Sequence, residues 1–92
     1  METIHVSGKR WFDKVNGNTY HSSKIYIDGN FFDRVNFAYG YGDHYLTTAF
    51  ELLHRVGKIE MESNTQAPWR YCKENGIKFY SEVADITRKG DL

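Results

Sequence analysis

Cysteine is nearly missing from this sequence, since Cys72 is the only one among 92 residues. A single cysteine excludes an internal disulfide framework and is typical of proteins kept in a reducing compartment. No apolar run approaches the ~20 residues needed to cross a bilayer. The N-terminus also lacks a basic region followed by an apolar core, which is the pattern of a secretion signal. These absences predict a soluble cytoplasmic protein with no membrane partner.

The chain also lacks net charge, because twelve Lys and Arg residues balance twelve Asp and Glu residues. A protein that binds nucleic acid by neutralising phosphates usually carries a basic excess, so this class of partner is disfavoured, although a local basic patch stays compatible with the composition. The same balance disfavours an acidic mimic of DNA.

Aromatic residues, by contrast, make up 16% of the chain. Large rings each bury a large area, so they suit the small core of a chain of this length. We expect one domain over residues 1–92, with a polar, frayed tail at residues 88–92.

Alternating apolar residues and turn signals predict a three-stranded antiparallel meander in the first 38 residues. Ser7-Gly8 interrupts the first strand and indicates a bulge or a bend. Asn16-Gly17 predicts a type I′ hairpin turn, and Asp28-Gly29 predicts a second turn. The predicted strands cover residues 3–6 with 9–15, 19–27 and 31–38.

The same alternation predicts which side chains face the core. On the third strand, Phe31, Val35 and Phe37 are expected to point inward, and on the first strand Trp11 is expected to lie opposite Arg10. The second face of the sheet is then expected to carry aromatic, basic and small polar side chains: Arg10, Phe12, Tyr20, Ser22, Lys24, Tyr26, Phe32, Arg34 and Asn36.

Apolar residues at helical spacing predict the main helix at residues 44–56, with Asp43 as its N-cap and Gly57 as its left-handed C-cap. Pro68 suits the first turn of a second, short helix. The order β-β-β-α-α-β predicts an α+β domain of two layers. The remaining predicted segments are an edge strand or extended connector at 58–62, a polar loop at 63–66, helix at 69–75, and a last strand from 77 that bulges or ends between 83 and 86.

The strongest candidate site joins the third strand to the main helix: Phe37-Ala-Tyr-Gly-Tyr-Gly-Asp-His-Tyr45, here called the glycine segment. Gly40 and Gly42 can let a ligand approach the backbone closely, with helix amides aimed at an anion. Tyr39, Tyr41 and His44 can stack on a base or hydrogen-bond to it. The spacing is neither a P-loop nor the dinucleotide fingerprint. The alternative is a structural connector whose glycines permit a sharp turn.

Metal binding and catalysis find little support in the residue pattern. The four histidines, at positions 5, 21, 44 and 54, lack a metal-ligand spacing and are expected to be structural. Cys72 has no adjacent base that would activate a thiolate, so a small buried cysteine is expected. We therefore predict no metal, no cofactor and no catalytic residue.

The predicted second face of the sheet carries more ring area than solvation requires. Rings on a sheet can stack on bases while Arg and Lys contact phosphate. The alternatives are an ordinary solvated face, a dimer interface or a contact with a foreign protein. We favour an interface, either with a second copy or with a foreign partner.

Gly17-Asn-Thr-Tyr-His-Ser22, the glycine segment, Thr48-Ala49 and Leu52-Leu53 together resemble a pattern in short uncharacterised accessory proteins of tailed bacteriophages. The similar stretch covers residues 10–53. The resemblance implies a phage accessory protein made in the bacterial cytoplasm, and it assigns no activity. Three strands followed by a helix also resemble part of the double-stranded-RNA-binding domain. However, the leading helix and the basic cluster of that domain are absent, and Asp43 stands where a lysine is wanted.

The leading hypothesis is a non-enzymatic, phage-encoded binding protein that contacts a host defence or regulatory protein. The alternatives are a protein that sequesters a nucleotide-like small ligand and a nucleic-acid-binding module. Asp43 counts against the small-ligand alternative, because a capping carboxylate repels an anion. A homodimer is compatible with each. The expected binding residues are Tyr39, Gly40, Tyr41, Gly42 and His44 of the glycine segment, and Arg10, Tyr20, Lys24, Tyr26, Phe32 and Arg34 of the sheet.

Overall fold

The computed structural model describes residues 1–59 and 68–92. The predicted α+β class and the antiparallel meander are confirmed. Within the described ranges, neither helix combines the length and hydropathy needed to cross a membrane. The elements are β1 (Thr3–Asp13), β2 (Asn18–Ile27), β3 (Asn30–Tyr39), α1 (His44–Arg55), α2 (Pro68–Glu74), β4 (Lys78–Ile86) and a 3₁₀ helix (Lys89–Asp91).

The strands form one mixed sheet in the order β3-β2-β1-β4. The pairs β1–β2 and β2–β3 are antiparallel, whereas β4 lies parallel to β1. Helix α1 packs on β1, β2 and β3, and α2 packs on β4 and α1. We call the side of the sheet that α1 covers the inner face and the opposite side the outer face.

The core lies between the inner face and the helices. Its largest fully buried side chains come from both the strands and the helices, so the apolar stripe of α1 and the sheet bury each other. Phe50 of α1 also meets Phe79 of β4 edge to face, with ring centroids 5.5 Å apart. This contact ties the parallel edge strand to the main helix. The principal core residues are Ile4, Val6, Ile25, Ala49, Phe50, Leu53, Tyr71 and Cys72.

The predicted interruption of β1 at Ser7-Gly8 is wrong, because β1 pairs with β2 without a register shift. The even-numbered residues therefore stay on the inner face along the whole strand, and Trp11 lies on the outer face. Gly8 has a packing reason instead. A Cβ built on it would lie 2.4 Å from Cδ2 of Tyr45, a ring that is buried at the start of α1.

The predicted faces are right for Val35 and Arg34 in the middle of β3 and wrong at both ends of the strand, and two β-bulges are the cause. The register between β2 and β3 shifts between His21 and Ser23 and again between Ile25 and Tyr26. Each shift adds one residue to β3, and one extra residue reverses the alternation. Phe32 consequently packs against the core, whereas Phe31 and Phe37 are exposed.

The two predicted hairpin turns have different outcomes. Asp28 and Gly29 both have positive φ, at 50° and 83°, and they join Ile27 directly to Asn30, as a type I′ turn requires. At the first hairpin only Gly17 has positive φ, and its N–H donates to the Asp13 carbonyl in a four-residue loop. The predicted type I′ turn at Asn16-Gly17 is therefore wrong.

Both helices end as their sequences predict. Gly57 has a φ of 79°, and Lys58 N–H donates to the Leu53 carbonyl at 2.9 Å, the long bond of a Schellman motif. Gly76 and Ile77 repeat this arrangement after α2.

The predicted strand or connector at 58–62 lies mostly outside the described residues, and the predicted polar loop at 63–66 lies entirely outside them.

Strand β4 runs to Ile86 without a bulge, so of the two outcomes predicted between Val83 and Ile86 the bulge is wrong, and the strand ends at Ile86. Val83 lies beside Gly8 on the inner face, and Ile86 lies beside Trp11 on the outer face. The alternation of apolar residues changes here because Val83 and Ile86 lie on opposite faces of one unbroken strand. After β4, residues 89–91, within the predicted frayed tail, form the 3₁₀ helix.

Candidate functional site

A row of aromatic rings crosses the outer face at the end of the sheet next to the glycine segment. Trp11, Tyr20 and Phe37 come from three adjacent strands and stack in sequence, with centroids 6.0 Å and then 4.7 Å apart. Tyr39 meets Tyr20 edge to face at 5.6 Å. We call these four residues the aromatic row. Because Trp11 and Phe37 stack on either side of it, the Tyr20 ring presents mainly its edge to solvent, and the stack covers one face of each of the other two rings.

A second, smaller aromatic cluster lies at the other end of the outer face. Tyr26 stacks on His5 at 5.5 Å and meets Phe31 edge to face at 5.7 Å. Tyr80 of β4 is the neighbour of His5 in register and is exposed. The outer face thus carries two aromatic patches, one on each side of its centre.

Two basic residues, Lys24 and Arg34, lie between these patches. They are directly opposite each other in the β2–β3 register, and both are exposed. Within residues 1–59 and 68–92, neither side chain has an ion pair or a hydrogen bond. On the outer face the carboxylate nearest in register is Glu82, whose Oε1 lies 3.6 Å from Nε2 of His5. Asp33, whose Oδ1 accepts from the Arg34 backbone N–H at 2.7 Å, is in register with Ile25 of the inner face. The centre of the outer face is therefore positively charged.

The glycine segment leaves the sheet beside the aromatic row, and His21 contacts it from the inner-face side of the sheet. This imidazole is buried, and its two nitrogens lie 3.1 Å from the Gly40 carbonyl and 2.7 Å from the Thr48 hydroxyl. Since a carbonyl can only accept, Nδ1 donates to Gly40, and in the neutral ring Nε2 accepts from Thr48. Burial lowers the pKa of His21 below its ordinary value. The hydrogen bond to Gly40 raises this pKa in part, and the nearby His44 lowers it further.

Gly40 is needed because His44 packs directly on it. A Cβ at Gly40 would lie 2.5 Å from the His44 ring, and the φ of 154° disfavours other residues. The two histidine rings lie 5.5 Å apart, tilted by 51°. These contacts support the connector interpretation for Gly40 and His44, which fix the turn into α1.

Asp43 occupies the N-cap position of α1, but its side chain makes no capping hydrogen bond. The predicted capping role is therefore wrong, and the turn is closed by backbone bonds, such as His44 N–H to the Tyr41 carbonyl at 3.2 Å. Tyr39 and Tyr41 are 64% and 79% exposed. An open hollow of about 560 Å³ is lined by Tyr39, Gly40, Tyr41, Asp43, His44 and Thr47.

Arg10 lies on the inner-face side of β1, in register with His21, so its predicted place on the outer face is wrong. Its Nε and Nη2 donate to both carboxylate oxygens of Asp85, at 2.8 and 3.2 Å, and Nη1 donates to the Gly42 carbonyl at 3.1 Å. Arg10 therefore links β1, β4 and the glycine segment. A cleft of about 230 Å³ lies beside it, lined also by Phe12, Thr19, Tyr41 and Ile86.

The last residues of the chain reach the aromatic row. Nζ of Lys89 lies 5.1 Å from the ring centroid of Phe37, and Nζ of Lys9 donates to the Asp91 carbonyl at 3.0 Å. Phe37 is on the edge strand farthest from β4. The C-terminus therefore crosses the outer face and covers one end of the row.

The described residues offer little for metal binding or nucleophilic chemistry. In residues 1–59 and 68–92, no group of three or more His, Cys, Asp or Glu side chains is placed to hold a metal ion. Cys72 is buried, and burial raises the pKa of its thiol to about 11. A protonated thiol is a poor nucleophile.

The structure joins residues that the sequence placed in two separate candidate regions. Tyr39 of the glycine segment contacts Tyr20 of the sheet, so these regions form one continuous surface. Lys24, Tyr26 and the exposed Arg34 lie on the same outer face. Arg10 and Phe32 do not join this surface.

Three residues of this surface were not indicated as such by the sequence: Trp11, Phe31 and Phe37. The alternation in residues 3–6, extended through Ser7-Gly8 without a break, would have placed Trp11 on the outer face. No sequence signal marks the two bulges that turn Phe31 and Phe37 outward.

Comparison with known proteins gives no family for this chain: no family model, no curated protein and no solved structure matches it.

Proposed function

We propose that this chain is a non-enzymatic binding protein that contacts another protein through the outer face of its sheet. The single observation that carries the proposal is the continuous aromatic surface formed by the aromatic row, at whose end Tyr39 is more than half exposed. Tyr41, two residues further along the glycine segment, is also more than half exposed. Exposed rings that are held rigidly are typical anchors of protein interfaces. The chain would act as a two-layer domain, with the helices on the inner face of the sheet and this surface on the outer face.

The resemblance to tailed-bacteriophage accessory proteins supports a phage origin and a host protein as the partner. The contact would then take place in the bacterial cytoplasm, with a defence or regulatory protein of the host. A second copy of this chain is the competing partner for the same face. It is tested by measuring molar mass in solution at several concentrations.

Capture from bacterial lysate tests the proposal. The tagged wild type is compared with a Tyr39→Ala/Tyr41→Ala variant and with Trp69→Ala, a matched control because Trp69 is an exposed ring on α2, 57% exposed. We expect wild type and Trp69→Ala to retain the same protein and the double variant to lose it. Equal retention by all three would place the contact elsewhere.

A nucleotide-like small ligand is a second candidate. It is favoured by the open hollow beside Tyr39 and Tyr41, whose volume of about 560 Å³ lies within the ~300–1,000 Å³ range of small-molecule sites. Because Asp43 makes no capping bond, the first-turn amides are not occupied by its carboxylate. A rise in unfolding temperature with millimolar ATP or AMP, lost in Tyr41→Ala, is the expected result. An unchanged temperature would eliminate this function.

A further inference from the structure

We propose that the centre of the outer face, at Lys24 and Arg34, is a seat for acidic side chains, so that the partner presents an acidic segment flanked by apolar residues. This inference rests on the proposed function and specifies its partner. It identifies the partner by chemistry, as an extended or helical protein segment rich in Asp and Glu.

The arrangement of the two cations is the first argument. Like charges directly opposite each other on neighbouring strands are destabilising. Here Lys24 and Arg34 are opposite in register, and within the described residues neither has a carboxylate partner. Local arrangements that cost stability without a compensating contact are expected at functional sites. A carboxylate from a partner would supply the missing charge, and the Arg34 guanidinium can bind it with two parallel bonds.

The apolar flanks give the second argument, because they lie on either side of the two cations. Tyr20 and Tyr26 belong to the two aromatic patches and are six residues apart on β2, which corresponds to about 20 Å along a strand. Lys24 lies between them. The C-terminal residues cross this path beside Ser22, where Lys9 donates to the Asp91 carbonyl. An extended segment would therefore place its acidic side chains over Lys24 and Arg34, with one apolar end on the Tyr26 patch and the other end against the C-terminal residues.

The geometry of the rings favours a protein over a single-stranded nucleic acid. Base stacking needs free ring faces. In the aromatic row, Tyr20 is stacked by Trp11 on one neighbouring strand and by Phe37 on the other, and the Phe37 ring is also met by Lys89. Tyr26 is stacked by His5. Rings that present edges suit contact with aliphatic side chains better than with bases.

Fluorescence anisotropy with defined probes tests this seat. The probe is a labelled peptide of about eight residues with glutamates at its centre and leucines at its ends, compared with the same peptide carrying glutamines and with a short oligothymidine. We expect the glutamate peptide to bind at least about tenfold more tightly than either, and its affinity to fall as salt rises. Equal binding of the glutamine peptide, tighter binding of oligothymidine, or no binding of the glutamate peptide at millimolar concentration would overturn the proposal.

Two variants separate this role from a structural one. Lys24→Gln and Arg34→Gln should each weaken the glutamate peptide about tenfold while raising the unfolding temperature by about 1–5 °C, because each relieves the repulsion. Lys14→Gln, an exposed cation in the loop between β1 and β2, is the matched control and should change neither. Peptide binding that is unchanged in both variants would overturn the proposal.

The outcome is distinguishable from failure of the proposed function. A host protein that is lost by Tyr39→Ala/Tyr41→Ala but retained by Lys24→Gln/Arg34→Gln would leave the binding function standing and remove the acidic seat. A protein that all variants retain would remove both.

Discussion

Replacing Gly8 with alanine should destabilise the protein, although the change adds only one methyl group. Gly8 lies in the middle of β1 with no positive φ, so an alanine backbone is unstrained there. The cost comes from the ring of Tyr45. The new Cβ would lie 2.4 Å from Cδ2 and 2.7 Å from Cγ of that ring. Carbon atoms prefer about 3.5–4.0 Å, so the strand or the ring must move by more than about 1 Å.

The ring cannot move freely, because Tyr45 is 4% exposed and lies in the first turn of α1. Inserting a methyl group into a packed core typically costs about 1–3 kcal/mol. This exceeds the ~0.4–1 kcal/mol gained when alanine restricts the unfolded chain. Each kcal/mol corresponds to about 4–8 °C in Tm for a domain of this size.

Urea denaturation of the wild type and four variants tests this reasoning. Gly90→Ala is the matched control, because a Cβ at Gly90 meets nothing within 4 Å and its φ is not positive; its free energy of unfolding should equal or slightly exceed that of wild type. Tyr45→Leu, alone and with Gly8→Ala, completes a double-mutant cycle, and the coupling should be at least ~0.5 kcal/mol. A Gly8→Ala protein as stable as Gly90→Ala would refute the packing role of Gly8.

Three further predictions follow from the site. The pKa of His21 is lowered in the fold, so the unfolded chain binds more protons below about pH 6.5; Tm should fall as pH falls below that value, and the profile should be flatter in His21→Asn. Asp43→Ala should lower the free energy of unfolding, measured in a thermal melt, by well below the ~0.5–2 kcal/mol typical of a lost helix cap. A decrease within that range would mean that the Asp43 carboxylate does cap α1. Cys72 should react with a thiol reagent only as fast as the protein unfolds, and rapid labelling of the native protein would contradict its burial.

Much of the fold could be predicted from local patterns. The Asp28-Gly29 turn and the Gly57 helix end each depend on one residue whose conformational freedom the turn requires, so the sequence reports them directly. The faces of β1 and β3 depended instead on neighbours. Gly8 suggested a bulge because its true reason, the ring of Tyr45, lies 37 positions away in the chain.

The candidate site was predictable in some of its residues but not in its geometry. Tyr39, Tyr41 and Tyr20 were indicated by their excess over what a core needs, and the structure brings Tyr39 and Tyr20 into contact. Phe37 points outward because of a bulge between β2 and β3. Such a bulge depends on how the two strands pair and pack, so no short sequence pattern marks it. The same limit applies to Lys89, because a contact across the whole sheet is not encoded by neighbouring residues.

Site-specific photo-crosslinking in bacterial cells tests the central claim most directly. A benzoylphenylalanine is incorporated in place of Tyr39, at the exposed edge of the aromatic row, and separately in place of Trp69 on α2 as the matched control. The account predicts a covalent adduct with a host protein from position 39 and none from position 69. Identical adducts from both positions, or from position 39 an adduct only with a second copy of this chain or with nucleic acid, would contradict it.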